Sequence, residues 1–371
     1  MKVERTKEMI NVTMPDLPLL KKYTGYLNKI WKTKWLTNNG EFVQLLEKRL
    51  EKYLKVRNLL VVCNGAIAIQ LVLKSLDLKG EVITTPFTFP ATTNVLLWEG
   101  LTPVFADIDP ETFNIDPHEV EKKISDKTNA ILAVHIYGNP CYVEKLQKIA
   151  DRYSLKLIYD AAQAFGVEYK NKSVLNYGDA SILSFHPTKV FTTIEGGAII
   201  IKDKKLFEKL KLLRNHGIKS AEDVVLPGIN AKMNEFEAAM GLCNLENIDE
   251  KIRVRKKIYE YYKEKLADTD VKFQRIIASK YNYAYMPVCF RDLKERDRIY
   301  SKLIKNGINP RKYFYPLTID FDYFKEKEIN LVERSALGVA RDVAGRVLSL
   351  PLYPSLKIGV VNKIIAFLKR H

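Results

Sequence analysis

The middle of this chain alternates short apolar runs with segments whose apolar residues have helical spacing. The apolar runs lie at residues 59–63, 81–85, 103–107, 130–136, 156–159, 181–185 and 198–201. Helical segments lie between the first five of them, at residues 67–76, 91–100, 118–124 and 143–153. Strands of this length that alternate with helices are typical of a parallel sheet with helices on both faces. We therefore predict an α/β fold built on a mainly parallel sheet.

The two ends of the chain depart from this pattern. Residues 1–40 form an arm whose rings, Tyr26, Trp31 and Trp35, need a surface to cover on this domain or on a partner. An amphipathic helix follows at residues 43–53. Helical patterns predominate after residue 206 (236–245, 252–266, 296–306 and 360–369), with a short strand at 284–289. We predict a large domain at residues 1–250, which includes the arm, and a smaller α+β domain at residues 251–371.

A net charge of +16, from 60 basic and 44 acidic residues, suits a polyanionic partner such as nucleic acid, a membrane surface or a small phosphorylated molecule. The lysines are spread along helices, and the sequence contains no arginine-rich tail or nucleic-acid-binding motif. No apolar run reaches membrane-spanning length, and the charged start lacks the apolar core of a signal peptide. We therefore expect a cytoplasmic protein that binds phosphorylated small molecules, without nucleic acid or a membrane as partner.

The cysteines and histidines give no indication of a metal centre. Cys63, Cys141, Cys243 and Cys289 form no CxxC pair, and the five histidines are scattered. We expect neither a metal site nor a disulfide framework.

One lysine stands at a suggestive place. Residues 181–197 read SILSFHPTKVFTTIEGG, which indicates a strand, a loop that carries Lys189, a turn at Gly196-Gly197 and a returning strand. An amine that is held beside apolar side chains loses solvation, so that part of it is neutral and nucleophilic, as a Schiff-base lysine requires. Taken alone, Lys189 is more simply one of many loop lysines, and its neighbours decide between the two interpretations.

Further candidate residues follow other strands of the predicted sheet. In open α/β sheets, ligands bind at the carboxyl ends of the strands. Asn64-Gly65-Ala66 follows one strand and begins a helix, where backbone amides can hold a phosphate, although the same residues suit an ordinary turn. Phe87 and Phe89 follow the next strand and suit either the core or a stacked ligand ring.

Asp160 ends another apolar strand, with no lysine or arginine close behind it. An unpaired buried carboxylate is costly, so a protonated ligand nitrogen is an attractive partner, and a helix N-cap is the alternative. Ser184 and His186 flank the lysine loop, where a hydroxyl could bind a phosphate oxygen. An amine, a carboxylate, an aromatic ring, and amides with a hydroxyl together suit pyridoxal 5′-phosphate.

Several segments of the sequence resemble those of a known family. The resemblance lies in WLTNNG, TPFTFPATTN, PVFADID, HIYGNP, DAAQAFG, SFHPTK, RNHG, NAKMNEFEAAMGL, NPRKYFYPL and LSLPLYP, which span most of the chain. These segments are similar to those of the DegT/DnrJ/EryC1/StrS family of pyridoxal-phosphate-dependent nucleotide-sugar aminotransferases, and the pairing of DAAQA with SFHPTK is highly specific. The resemblance implies fold type I, with a large α/β domain and a smaller C-terminal α+β domain.

The resemblance also assigns roles to matching residues. Lys189 and Asp160 would be catalytic: the lysine would bond to the cofactor and carry the proton to the substrate carbon, and the carboxylate would keep the pyridine nitrogen protonated. Gln163 would contact the ring hydroxyl and Phe89 would stack on the ring. The whole cofactor-binding set that the resemblance implies is Gly65, Ala66, Ile67, Phe89, Asp160, Gln163, Ser184, His186, Lys189 and Asn230.

At the phosphate end, the sequence departs from the family in one position. Ser184 and the backbone of Ala66 and Ile67 would hold the phosphate, but many relatives have threonine where Ala66 stands, so one hydroxyl is missing. Asn230 would reach the phosphate of the neighbouring subunit, which implies a homodimer with shared active sites.

The expected substrate is a nucleotide-linked keto sugar, with L-glutamate as amino donor. WLTNNG looks most like members that aminate C4 of dTDP-4-keto-6-deoxyglucose, in deoxyamino-sugar biosynthesis of the kind that serves lipopolysaccharide O-antigen. Amination at C3 and a GDP- or UDP-linked sugar are alternatives. Candidates for sugar-nucleotide contact are Tyr313, Phe314 and Lys232, which stands where many relatives have arginine.

Other classes of function are less well supported. Family members that act as dehydratases have histidine in place of the lysine, so Lys189 argues against that activity. A pyridoxal-phosphate-binding regulator would hold the cofactor without turnover, and a basic nucleic-acid-binding protein would bind DNA or RNA without it. The paired DAAQA and SFHPTK motifs favour the enzyme over both.

Overall fold

A computed structural model describes residues 9–325 and 337–369 of the chain. Its helices are α1 (Leu20–Thr33), α2 (Glu41–Leu54), α3 (Gly65–Ser75), α4 (Pro90–Trp98), α5 (Pro117–Lys122), α6 (Val143–Tyr153), α7 (Lys204–Arg214), α8 (Glu235–Leu245), α9 (Ile248–Lys265), α10 (Leu293–Lys305), α11 (Asp322–Lys325), α12 (Gly338–Arg346) and α13 (Ile358–Lys369). Its strands are β1 (Ile10–Asn11), β2 (Leu59–Val62), β3 (Glu81–Thr84), β4 (Thr102–Phe105), β5 (Thr128–Val134), β6 (Lys156–Asp160), β7 (Glu168–Tyr169), β8 (Lys172–Ser173), β9 (Ala180–Ser184), β10 (Gly197–Ile201), β11 (Ile218–Ser220), β12 (Asp223–Val224), β13 (Lys272–Phe273), β14 (Met286–Cys289), β15 (Ile308–Asn309) and β16 (Val347–Leu350).

The largest sheet has seven strands in the order β2-β10-β9-β6-β5-β3-β4. Strand β10 is antiparallel to both of its neighbours, and the other neighbouring strands are parallel. The predicted α/β class with a mainly parallel sheet is therefore confirmed. Because β9 runs with the parallel strands and β10 returns beside it, the loop between them lies at the carboxyl edge of the sheet.

Apolar residues cover both faces of this sheet. Along β5, Ala130 and Leu132 belong to one apolar cluster, which includes residues of α3, α4 and α7. Ile131 and Ala133 belong to a second cluster, which includes residues of α5 and α6. Burial on both sides explains why these strands are continuous apolar runs rather than alternating ones.

The C-terminal part of the chain builds a smaller sheet, in which β14 pairs antiparallel with β13 and β16. The N-terminal segment also joins this part, because β1 pairs with β15 and the amide of Leu352 donates to the carbonyl of Val12 at 3.0 Å. Helix α9 continues across residue 250 without a break. The predicted division of the chain at residues 250 and 251 stays a prediction, and residues 10–12 lie against the part that it assigns to the small domain.

Much of the predicted arm is helix α1, which packs on one side against α2 and α8. Tyr26 meets Phe42 edge to face at 5.1 Å, and Trp31 meets Phe236 at 5.9 Å. Trp31 nevertheless remains 68% exposed and Trp35 57% exposed. The described ranges contain no helix that is both long enough and apolar enough to cross a membrane.

The start of α2 is held by a buried carboxylate. Glu235, which is 2% exposed, accepts hydrogen bonds from the amides of Phe42 at 2.9 Å and Val43 at 3.0 Å. The first amides of a helix have no partner inside the helix, so this carboxylate replaces the missing carbonyls. The contact fixes α2 against α8, which packs behind the lysine loop.

We predict that Glu235→Ala lowers the free energy of unfolding by about 3 kcal/mol, because it leaves two buried amides without an acceptor. Urea denaturation followed by circular dichroism measures the loss. Glu260→Ala, on the exposed side of α9, is the matched control and should change stability by less than about 0.5 kcal/mol. Equal losses in the two variants would contradict this account of α2.

Candidate active site

A cavity of about 450 Å³ lies at the carboxyl edge of the large sheet. It is bounded by residues at the ends of β6 and β9, the starts of α3 and α4, the lysine loop and the segment after β15. The structure brings many of the predicted site residues into its wall, namely Gly65, Ala66, Phe89, Asp160, Gln163, Ser184, His186, Lys189, Tyr313 and Phe314. Ile67, Asn230 and Lys232 are not part of that wall.

Lys189 lies half-buried on the loop between β9 and β10. Two backbone hydrogen bonds close the loop at its base. The amide of Phe185 donates to the carbonyl of Gly196 at 2.8 Å, and the amide of Thr193 donates to the carbonyl of Phe185 at 3.0 Å. The Nζ of Lys189 forms no hydrogen bond or ion pair with any residue that the structure describes. Its amine therefore stays available for a ligand.

The base of the lysine loop is fixed by close contacts. A Cβ at Gly197 would lie 2.7 Å from the carbonyl carbon of Asn64, so only glycine permits this approach of two backbones. Behind the loop, the Nδ2 of Asn244 in α8 donates to the carbonyl of Thr192 at 2.8 Å. The loop is thus held from the sheet on one side and from α8 on the other.

Asp160 lies at the end of β6 and is only 6% exposed. Its Oδ1 accepts from the amide of Ala162 at 3.0 Å and its Oδ2 from the hydroxyl of Thr92 at 2.8 Å. Burial raises the pKa of this carboxyl, and the two donors and the charge of Lys189 oppose that rise. No helix begins directly after Asp160, where the chain makes turns, so the alternative of a helix N-cap does not apply.

The start of α3 forms a small cradle opposite Ser184. A Cβ at Gly65 would lie 2.9 Å from the Cβ of Ser184 and 3.3 Å from its Oγ, so a side chain at this position would fill the cradle. The amide of Ile67 already donates to the Oδ1 of Asn64 at 2.8 Å. The amides of Gly65 and Ala66, at the positive end of α3, are therefore better placed for an anion than that of Ile67.

The two phenylalanines of the TPFTFP segment separate. Phe87 is fully buried and packs edge to face on Tyr137 and Phe314. Phe89 precedes α4, is 54% exposed and lines the cavity. Gln163 is fixed by the amide of Tyr137, which donates to its Oε1 at 2.6 Å, so its amide nitrogen remains for a ligand.

Besides Ile67, three predicted residues lie at the edge of the cavity or outside it. His186 is exposed, and its Nδ1 lies 2.9 Å from the hydroxyl of Thr188. Asn230 is exposed and forms an isolated bridge with Asn215. The Nζ of Lys232 donates to the Oδ1 of Asn215 at 2.8 Å, and burial and the charge of Arg214 lower the pKa of this lysine.

Sequence reasoning did not single out several cavity residues. Tyr285, Arg311 and Glu195 line the cavity, as do Thr88 and Thr92. Arg311 is held by a two-way backbone pairing with Ser349, at 3.1 and 2.8 Å. The NPRKYFYPL and TPFTFPATTN segments contain Arg311 and the two threonines, so the signal was present, but nothing local distinguished these side chains from their neighbours.

The cavity residues fit pyridoxal 5′-phosphate. The cradle at Gly65 and Ser184 offers amides and a hydroxyl to a phosphate, and Phe89 offers a ring face. Asp160 is a buried carboxylate to which no cation of residues 9–325 or 337–369 is directly bonded. Lys189, in the same wall, offers a primary amine to an aldehyde. In the described ranges, no group of three or more histidine, cysteine and acidic side chains could hold a metal ion.

An acidic residue behind the loop predicts a pH dependence of stability. Glu237 and Asn234 cap α8 reciprocally, and burial and the charge of Glu195 raise the pKa of Glu237 to about 7. The folded chain therefore holds this proton more tightly than the unfolded chain. Its contribution to the free energy of unfolding falls as the pH rises from the ordinary glutamate range through about 7.

We predict that the melting temperature of Glu237→Gln, which cannot ionise at this position, minus that of the wild type is larger at about pH 8 than at about pH 5. The glutamine keeps an acceptor oxygen for the amide of Asn234, so the cap itself is retained. Thermal unfolding of both proteins at the two pH values measures the difference. A difference that is the same at both pH values would show that Glu237 does not titrate in this way.

The comparisons with known proteins agree with this geometry. The sequence profile of the DegT/DnrJ/EryC1/StrS aminotransferase family matches residues 20–369. The chain is 44% identical over 366 residues to a dTDP-4-amino-4,6-dideoxy-D-glucose transaminase of Escherichia coli, covering 97% of this chain and 98% of that one. It is 31% identical over 337 residues to a GDP-perosamine synthase of Escherichia coli O157:H7, covering 89% and 90%. The crystal structure of DesI in the presence of its TDP-sugar product is similar with a TM-score of 0.90 and 32% identity, covering 98% of this chain and 93% of that one.

Proposed function

We propose that this chain, which belongs to the DegT/DnrJ/EryC1/StrS aminotransferase family, transfers an amino group from L-glutamate to C4 of dTDP-4-keto-6-deoxyglucose. The match to the family's sequence profile confirms the resemblance found in the sequence, and the structural similarity to DesI confirms fold type I. One observation carries the proposal: Asp160, at the end of β6, and Lys189, on the loop that follows the neighbouring strand β9, line one cavity. Within the part of the chain that the structure describes, the amine of Lys189 has no hydrogen-bond or ion-pair partner and Asp160 has no directly bonded cation, which suits the two ends of one cofactor ring.

The choice of sugar nucleotide rests on the relatives. The Escherichia coli protein that is 44% identical is named for dTDP-4-amino-4,6-dideoxy-D-glucose. Transfer of the C4 amine from this amino sugar to an acceptor leaves a ketone at C4. The keto sugar that takes part in the reaction is therefore dTDP-4-keto-6-deoxyglucose. The relative named for GDP-perosamine is only 31% identical, which favours dTDP over GDP as the nucleotide.

We assign pyridoxal 5′-phosphate as the cofactor of this cavity. Gly65, Ala66 and Ser184 would hold its phosphate, Phe89 would cover one face of its ring, and Gln163 would contact its hydroxyl. When bound, this cofactor supplies an electron-withdrawing ring that stabilises negative charge on the substrate carbon.

The residues of the chain would then perform the proton transfers. The Nζ of Lys189 would take a proton from the substrate carbon of glutamate and later deliver one to C4 of the sugar. Asp160 would hold a proton on the ring nitrogen, because a pyridinium is the cation that its buried charge lacks. The guanidinium of Arg311, which also lines the cavity, would attract the carboxylate or diphosphate of the two substrates.

We further propose a homodimer with shared active sites. Asn230 and Lys232 lie outside the cavity of one chain, which leaves both available to a neighbouring subunit. Exposed apolar side chains in the N-terminal part, which include Trp31 and Trp35, support the proposal because large exposed rings are usual at interfaces. Sedimentation velocity of the purified protein measures its mass.

We predict that Lys189→Ala abolishes turnover and the visible absorbance of the cofactor-loaded protein, because Lys189 is the only lysine among the described residues that line the cavity. Lys189→Arg is the matched control: it keeps a positive charge near Asp160, but a guanidinium does not bond to the aldehyde, so it should also be inactive. Absorption spectra before and after addition of glutamate measure both effects. Persistent turnover in either variant would remove Lys189 from the reaction.

We predict that dTDP-4-keto-6-deoxyglucose is aminated at C4 with a kcat/KM at least about tenfold above those of a 3-keto isomer and of GDP- and UDP-linked 4-keto sugars. Product NMR identifies the aminated carbon, and formation of 2-oxoglutarate measures the rate. Preference for a 3-keto or GDP-linked sugar would overturn the substrate assignment. Cofactor absorbance that does not change on addition of glutamate, without amination of any sugar, would instead favour a regulator.

A further inference from the structure

Two buried hydroxyls form a chain that ends on Asp160. The Oγ1 of Thr92 lies 2.8 Å from the Oδ2 of Asp160, and the Oγ1 of Thr88 lies 2.9 Å from that of Thr92. Thr88 is 2% exposed and Thr92 is 0% exposed, and both line the cavity. Neither residue is needed to cap α4 or to close a turn through its side chain, since their hydroxyls bond to each other and to the carboxylate.

The direction of this hydrogen-bond chain depends on the charge of Asp160. A threonine hydroxyl has a single proton to donate. If Thr92 donates its proton to the Oδ2 of Asp160, Thr88 must donate to Thr92, and every proton in the chain points toward the carboxylate. Protonation of that oxygen would remove its role as a charged acceptor and would reverse or break the chain. The arrangement therefore favours the ionised form of Asp160.

The start of α4 acts in the same direction. Thr92 lies in the first turn of this nine-residue helix, which has no side-chain cap, and it bonds directly to Asp160. The positive end of the helix is thus close to the carboxylate, where it favours negative charge. Burial has the opposite effect, because it raises the pKa of Asp160.

Other titratable groups around Asp160 do not replace these donors. Lys189 acts through its charge but is not within ion-pair distance. His135, whose amide donates to the carbonyl of Asp160 at 3.0 Å, is neutral because burial lowers the pKa of its ring to about 3. Burial also raises the pKa of the nearby Cys141 thiol, so this group is uncharged.

We propose that Thr92, oriented by Thr88, is a positioning residue that keeps Asp160 ionised and aimed for the ring nitrogen of the cofactor. The identity of the cation rests on the proposed function, whereas the effect on Asp160 is a property of this chain alone. The hydroxyls do not touch the reacting carbon. They act through the carboxylate of Asp160, so the direct effect of their loss should be a change in the ionisation of that carboxylate.

The experiment compares four variants. Thr92→Val keeps the shape and removes the hydroxyl, and Thr92→Ser keeps the hydroxyl. Thr88→Val removes only the outer member of the chain. Thr93→Val is the matched control, because Thr93 is equally buried in the same helix but donates to the carbonyl of Pro90 at 3.1 Å and does not line the cavity.

The first readout needs no cofactor. The carbon-13 signal of the Asp160 carboxyl, assigned with Asp160→Asn, is titrated in each unliganded protein. We expect the midpoint to rise by about one pH unit in Thr92→Val, by less in Thr88→Val, and to stay near the wild-type value in Thr92→Ser and Thr93→Val. A midpoint in Thr92→Val equal to that of the wild type, or a rise in Thr92→Ser as large as in Thr92→Val, overturns the proposal.

The second readout uses pyridoxamine 5′-phosphate, which has the ring nitrogen but cannot bond covalently to Lys189. Its dissociation constant, measured by equilibrium dialysis across pH, should rise roughly tenfold in Thr92→Val, with the loss of affinity in acid shifted to higher pH. Binding of inorganic phosphate should be unchanged. A folded wild-type protein that does not bind this probe would refute the proposed function, while the carboxyl titration would still decide the role of Thr92.

Discussion

The candidate active site depends on one electrostatic constraint, which is the burial of the carboxylate of Asp160 with no cation from the described residues bonded to it. Burial disfavours its charge, and the described residues offer an amide, a hydroxyl and the field of Lys189 in return. Such a group is costly unless a cationic ligand completes it. The surrounding cavity also contains the cradle at Gly65 and Ser184 and the amine of Lys189, which under the proposed function would position and orient that ligand.

The sheet explains how the amine and the carboxylate come together. Asp160 ends β6 and the lysine loop begins at the end of β9, and these two strands are parallel neighbours. The carboxyl ends of parallel strands lie at the same edge. The antiparallel strand β10 returns the chain beside β9, and the loop between them, residues 185–196, is fixed by Gly197 and by Asn244 of α8. Lys189 is therefore presented by a constrained loop and not by a flexible one.

Some features of the fold and of the candidate site were predictable from the sequence, and others were not. The burial of apolar residues on both faces of β5 was visible as a continuous apolar run, because burial on both sides leaves that local pattern. Phe87 and Phe89 have similar sequence neighbours, yet one lies in the core and the other lines the cavity. The amide of Ile67 is occupied by Asn64 through a cap whose geometry a sequence does not display.

The sequence by itself determined the α/β class, the mainly parallel sheet, and the candidacy of Lys189 and Asp160, since these follow from local periodicity, turn residues and motif spacing. Only the tertiary structure decided that Arg311 and Tyr285 reach the same cavity, that residues 10–12 join the C-terminal part, and that Thr88 and Thr92 contact Asp160. The physical reason is that strand and helix patterns arise between residues that are neighbours along the chain. Contacts between distant segments depend on how whole elements pack, which no short stretch of sequence records.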